Sequence, residues 1–412
     1  MYTLYVGIDV GSSNLVVCFL DTKGKQIENF QKFQNSLPDA EMLEQMILDT
    51  AKKIKADEIF IGTEATSVYD IHIIDFLASS SYLNQFDLKV FRINAILIKK
   101  FKEAYMQDNK TDAQDSFIIA DRLRFGRLPE PYTAHQKHLP LQRLTRYRLH
   151  IVDSIRKEIQ YFLVHLFLKY NRFSNMKVFS NTTGATSISF INDFTCEELS
   201  SMNLEDITNF IIQKGKNRCK DPDATAQALT RAVRESYRIR PTMAKSVDII
   251  LASTCQTIRA LKASLKQLNK AIEHEFEAFP NTLTSVKGIG PIFAAGIFAE
   301  IGDVSRFANH NKLARFAGLT WKITQSSNFT AEQTRLTGKG NRYLRYYLIE
   351  AANSLRVHNE EYKAYYKKKY NEVPKYRHKR ALVLTARKFV RLLFGLLSKK
   401  QLYDKNLPAE RK

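Results

Sequence analysis

Cysteine is scarce and scattered. The four in 412 residues, Cys18, Cys196, Cys219 and Cys255, form no C-x-x-C pair. That excludes a disulfide-stapled scaffold and a cysteine-built zinc site, and it suits a reducing cytoplasm. No apolar run reaches the roughly 18 residues that a membrane-spanning helix needs, so no membrane span is expected. The opening MYTLYVGIDV runs straight into a strand pattern, without the charged and apolar regions of a secretory leader. Acid is also in deficit: 42 Asp and Glu stand against 63 Lys and Arg, a net charge of +21. From Asn281 to Lys412 there are 26 basic and 9 acidic side chains, so most of the excess lies in the last third. A basic domain of this kind meets a polyanion, most often nucleic acid. Composition is otherwise that of a globular chain, 44% apolar and 25% charged, with length for two or three domains.

Residues 2–20 read as two strands around a glycine turn, with Val6, Ile8 and Val10 alternating and Leu15–Leu20 a buried run. Helical spacing follows at 39–55, a strand at 58–65, a helix at 71–77, a strand at 88–94 and a helix at 111–126. This β-β-α-β-α-β-α order predicts an α/β layered domain over residues 1–130. Pro129, Pro131 and Pro140 mark a linker. Residues 141–278 hold two long helical stretches, 141–170 and 243–278, separated by a polar, mixed insert at 171–242. The second stretch repeats Val247, Ile250, Leu251, Ile258, Leu261, Leu265, Leu268 and Ile272 at near-heptad spacing. An antiparallel pair, a dimerising coiled coil and plain core packing all fit that spacing. Residues 281–400 read as a compact, mainly helical domain ending in a basic helix at 379–397.

Four carboxylates stand out in the first domain. Asp9 lies in GIDVG between the first two strands, Glu64 ends a strand in IGTEA, and Asp112 and Asp115 open a helix in KTDAQDS. An i, i+3 pair shares one helix face. Converging at one sheet edge, four such acids are the ligand set that holds two Mg²⁺ ions with room for phosphate oxygens. Each acid also has a structural reading; Asp112, for one, could simply cap its helix. GIDVGSSN further resembles the phosphate hairpin of actin-like and sugar-kinase ATPases. Those folds need a second D-x-G loop, which does not appear here in a suitable context.

In the last third, Val286–Ala295 reads VKGIGPIFAA, a G-x-G-P turn like that of a helix-hairpin-helix, where Gly288 and Gly290 would let backbone approach a phosphate. Further on, GKGN at 338–341 precedes a helix bearing Arg342 and Arg345. Lys339, Gly340, Asn341 and the two arginines are thus candidate nucleic-acid contacts, with helix N–H groups beside them. Ser326 and Ser327 sit in a polar loop upstream.

Taken together, GIDVG, TEA, KTDAQDS, GIGP, GL, SS and GKGNRYLR resemble the DEDD-type transposases of insertion sequences, relatives of the Piv invertase and of RNA-guided bridge recombinases. The resemblance covers the first 125 residues and about 283–357. It implies a RuvC-like, RNase H-fold domain, then a coiled coil, then a small transposase domain. It implies that Asp9, Glu64, Asp112 and Asp115 hold Mg²⁺ and that a serine attacks DNA to leave a covalent 5′-phosphoserine. Ser327 is the match to that nucleophile and Ser326 the alternative, with Asn328 where the family has glycine and Trp321 where proline is usual. It implies DNA ends and target as partners and a structured guide RNA from the element, at the nucleoid in the cytoplasm; acids and serine in different domains, joined by long helices, add the expectation of a homodimer or homotetramer. Two other readings remain: a metal-dependent Holliday-junction-type endonuclease using the acids alone, and a non-enzymatic nucleic-acid-binding protein.

Overall fold

The computed structural model describes residues 2–404 apart from 66–67, 106–110, 135, 174, 177, 180, 195, 216–218, 322–324, 327–328 and 331–335. Contacts divide the chain into two units, 1–137 and 138–412.

The first unit is a five-stranded sheet with helices. Its elements are β1 (Thr3–Val10), β2 (Asn14–Leu20), β3 (Gln31–Gln34), α1 (Leu37–Lys53), β4 (Glu58–Glu64), α2 (Ile71–Ala78), β5 (Asp87–Ile93), α3 (Ala95–Glu103) and α4 (Asp112–Phe125). The strand order is β3-β2-β1-β4-β5. β2 runs antiparallel to β1 and β3, while β1, β4 and β5 are parallel. Leu4, Val6 and Ile8 are fully buried with Ile59 and Ile61, which sets the core of the unit. This is the mixed α/β sheet expected of an RNase H-type domain. Two elements escaped the sequence reading, β3 and α3. β3 is four residues long with alternately exposed side chains, so it carries little hydrophobic signal.

Glycine decides how close α4 comes to the sheet. A Cβ on Gly7 would lie 2.1 Å from the Ser116 carbonyl oxygen and 2.4 Å from the Ala120 nitrogen. One on Gly62 would meet the Leu123 side chain at 2.9 Å. Helix backbone therefore rests directly on strand backbone at that crossing.

The second unit is helical. Its elements are α5 (Leu139–Lys169), α6 (Ala185–Asp193), α7 (Cys196–Ser201), α8 (Leu204–Gly215), α9 (Pro222–Arg234), α10 (Pro241–Glu277), α11 (Pro291–Ile301), α12 (His310–Phe316), a short pair β6 (Gln325–Ser326) and β7 (Phe329–Thr330), α13 (Arg342–His358), α14 (Glu360–Asn371) and α15 (Arg377–Lys399). Pro140 does not belong to a linker. It sits in the first turn of α5, where its missing N–H costs nothing. Arg148 reaches Asn269 at 2.8 Å and Lys169 reaches Asp248 at 2.9 Å, so α5 and α10 pair antiparallel within one chain. The heptad row faces that partner: Val247, Leu251 and Ile258 are buried with Phe162 and Leu166 of α5. Among its described residues the 171–242 insert forms four helices, whose Phe190, Ile207, Ile211, Leu229 and Val233 join the same core. Packing does not break between the expected 141–278 and 281–400 regions, because Leu141, Ile272 and Phe276 are buried in the core of α11–α15. Among the described residues Cys18 and Cys219 are free thiols, and no helix is long and apolar enough to cross a membrane.

Candidate active site and nucleic-acid interface

β1 and β4 pair in parallel with Gly7 opposite Gly62 and Ile8 opposite Thr63. Asp9 and Glu64 each follow their glycine by two residues, so they are neighbours at the same end of adjacent strands. Period-two alternation keeps each acid on the face of its glycine, which is the face that α4 covers. α4 runs back along β1. Ser116 lies over Gly7, while Arg124, two turns on, meets Gly24 in the turn after β2 at the other end of the sheet. Its first turn, with Asp112 and Asp115, is thus directed to the sheet end that carries Asp9 and Glu64. Thr111 is the cap of α4, its Oγ1 accepting from the Gln114 N–H at 3.2 Å. Asp112 is therefore not the capping residue, and it is exposed.

The four acids are directed to one edge of the sheet. Among the described residues, no three His, Cys, Asp or Glu side chains stand close enough to hold a metal ion. Lys102, on α3, donates to Asp115 Oδ1. Sequence reasoning missed this lysine because α3 itself was missed. Hard carboxylate oxygens on two strand ends and one helix turn have the chemistry that a divalent cation takes. Asp115 would have to leave Lys102 to join such a set.

In the second unit, two segments zip together below the serine loop. The Asn341 N–H donates to the Phe316 carbonyl at 2.7 Å, the Thr337 N–H donates to the Thr320 carbonyl at 2.8 Å, and Trp321 bridges to Leu336. Gly318 has φ +71° and Gly340 φ +123°, and a Cβ on either would strike backbone of the other segment at 2.4–2.5 Å. Only glycine permits this stem. Beyond it, β6 pairs with β7 through Gln325 opposite Thr330 and Ser326 opposite Phe329. Ser327 and Asn328 lie outside the described residues, and of Ser326 only the backbone strand is described.

The candidate phosphate contacts separate into two groups. Lys339 and Arg342 are exposed, and the Arg342 guanidinium lies 4.7 Å from the centre of the Tyr343 ring. Arg146, His150 and Lys157 of α5 line one cleft with Arg342 and Tyr343. Arg345 instead turns inward and donates from Nη1 to the Ala317 carbonyl at 3.1 Å, against Gly318. The expected free N–H groups of α13 are mostly taken: Asn341 Oδ1 accepts from Tyr343 at 2.9 Å and from Leu344 at 3.0 Å. Gly290 has open space around its Cα, whereas Gly288, at φ +103°, packs on Ser354 and His358 of α13. The element before this G-x-G-P turn is a three-residue 3₁₀ turn, Leu283–Ser285, and α11 follows with Pro291 in its first turn.

Glu300 holds this corner together. Buried at the end of α11, it takes Arg146 Nε at 2.7 Å and Nη2 at 2.9 Å, and Asn341 Nδ2 at 2.7 Å. A lone Glu at the end of an apolar helix signals nothing in sequence; its role exists only through partners 154 and 41 residues away.

Comparison with known proteins bears on both units. A family model described as a DEDD transposase of the IS110 type matches residues 6–170, and one described as transposase IS116/IS110/IS902 family matches residues 281–367. The 44.8 kDa protein of insertion element IS116 from Streptomyces clavuligerus is 22% identical over 413 residues, covering 98% of this chain and 97% of its own. The 42 kDa protein of insertion element IS900 from Mycobacterium paratuberculosis is 24% identical, covering 73% of this chain and 74% of its own. Among solved structures, T. thermophilus RuvC in complex with a Holliday junction substrate aligns at 12% identity over 32% of this chain and 99% of that one. Its TM-score is 0.25, so the fold of the first unit rests on its own strand order. With one family model on the acid-bearing half and the other on the glycine stem and α13, the chain belongs to the IS116/IS110/IS902 family of DNA transposases.

Proposed function

We propose that this transposase moves its insertion element by serine-mediated strand exchange, using the acids of the first unit and a serine of the second. The observation that carries the reading is the Gly7–Gly62 register, which makes Asp9 and Glu64 neighbours on the face of the sheet covered by α4. Asp9, Glu64, Asp112 and Asp115 would hold Mg²⁺, for which the donor set is suited once Asp115 leaves Lys102. Bound there, the ion would polarise a phosphodiester and ease loss of the attacking hydroxyl's proton.

The serine hydroxyl, at Ser327 or else Ser326, attacks phosphorus. An Oγ–P bond forms, the P–O3′ bond breaks, and the proton lost from serine ends on the departing 3′ oxygen. The reverse step, with a 3′ hydroxyl from another strand, reseals the backbone without consuming water. The stem around Gly318 and Gly340 carries the serine loop at a fixed base. Lys339 and Arg342 contact phosphate, and Arg345 and Asn341 position the stem and α13. Distribution of acids and serine between two units favours a homodimer or homotetramer, and the basic surface suits a structured guide RNA as well as DNA.

Trapping tests this. The protein is incubated with its element-end DNA and Mg²⁺, denatured, and examined for a protein–DNA adduct. The adduct is expected, mapped by peptide analysis to Ser327 and lost in Ser327→Ala. DNA on Ser326 would shift the nucleophile by one residue. Nicking without any adduct would replace strand exchange with the water-using endonuclease reading.

A further inference from the structure

The contacts assigned so far leave the densest positive charge in the chain unexplained. Residues 363–380 hold eight Lys and Arg and one Glu, and they form the end of α14, the turn after it and the start of α15. Nearly all of 371–380 is exposed. None of Lys367, Lys368, Lys375 and Lys379 has a carboxylate partner among the described residues.

The corner is built, not loose. Glu372 ties Lys369 at 2.7 Å to Arg380 at 3.1 Å, the Tyr366 hydroxyl and His378 Nδ1 are 2.7 Å apart, and Arg377 Nε donates to the Val373 carbonyl at 3.0 Å. These contacts leave the four lysines pointing into solvent from a fixed frame, which a solvated charge run does not require. At the apex stands Tyr376, 82% exposed, with φ 54° and ψ 26°. A bulky residue in the left-handed region is a strained outlier. Glycine would relieve that strain, and an aromatic ring held in water recovers nothing by packing. Strain of this kind is retained where the side chain serves something outside the fold.

We propose that the α14–α15 corner is a second nucleic-acid site. Its four lysines sit on consecutive phosphates of a strand, and the Tyr376 ring stacks on an unpaired base. Tyrosine offers a sequence-tolerant stacking face, and the lysines follow a backbone without reading it. The corner shares no residue with the acids or the serine loop.

The test reads binding by the full-length protein without Mg²⁺, so its outcome is separate from that of adduct trapping. Fluorescence anisotropy is followed against salt with labelled oligodeoxythymidine, oligouridine and a DNA duplex. Neutralising all four lysines (Lys367→Gln, Lys368→Gln, Lys375→Gln, Lys379→Gln) should lower the salt slope for single strands by roughly three units. Each single change should lower it by roughly 0.7. Tyr376→Gly should weaken single-strand binding by about tenfold, leave duplex binding nearly unchanged, and hold or raise the melting temperature. Comparison of oligodeoxythymidine with oligouridine identifies whether DNA or RNA is the better occupant. An unchanged salt slope in the lysine variants, or wild-type single-strand affinity in Tyr376→Gly, would overturn the proposal.

Discussion

Arg146 of α5 and Glu300 of α11 form a two-point ion pair at 2.7 and 2.9 Å, with the carboxylate buried. Asn341 shares the carboxylate, so three separate stretches of chain meet on one side chain. Removing the acid strands a partly buried guanidinium. Glu300→Ala should destabilise the second unit by about 3 kcal/mol, seen as a lower urea midpoint at unchanged m-value. Glu300→Gln should recover part of the loss, because it still accepts from Arg146. A midpoint equal to wild type in Glu300→Ala would mean the pair contributes nothing net.

Gly7 tests the register argument. With Ser116 and Ala120 backbone at 2.1 and 2.4 Å from a hypothetical Cβ, Gly7→Ala must push α4 off the sheet. Expected effects are a loss of about 2–3 kcal/mol in the first unit and a large fall in strand cleavage, since Asp112 and Asp115 ride on α4. Normal cleavage by a stable Gly7→Ala protein would separate α4 from the active site.

Lys102 and a metal ion would compete for Asp115. Lys102→Met should raise Mg²⁺ affinity measured by calorimetry on the nucleic-acid-free protein. Asp115→Ala should abolish cleavage yet change stability by less than about 1 kcal/mol, because the lost ion pair is only partly buried. Weaker Mg²⁺ binding in Lys102→Met would show the lysine supporting the metal site.

Arg342 and Arg345 lie one turn apart and should behave differently. Arg342→Ala should lower the salt slope of duplex binding by about 0.9 with an unchanged melting temperature. Arg345→Ala should lower the melting temperature by removing the bond to the Ala317 carbonyl, and alter binding only through the stem. Equal slopes and equal melting temperatures in the two variants would erase the distinction.

Much was legible in the residues alone. Alternating apolar residues marked β1, β2, β4 and β5, the heptad row marked α10, and the four acids stood out with their motifs. The charge of the last third pointed to a polyanion before any coordinate. These signals are local: each depends on side-chain type at a spacing the backbone itself imposes. What the tertiary structure decided is which of these residues meet. G-x-D and G-x-E become one site edge only because β1 and β4 pair with Gly7 opposite Gly62. Arg342 and Arg345 look equivalent in sequence and share one side of the helix, yet Arg342 is exposed beside Tyr343 and Arg345 is spent on Ala317, because the Gly318 stem packs against Arg345. Lys102, Arg146 and Glu300 had no sequence signal because an ion pair between distant residues is a property of packing, not of composition.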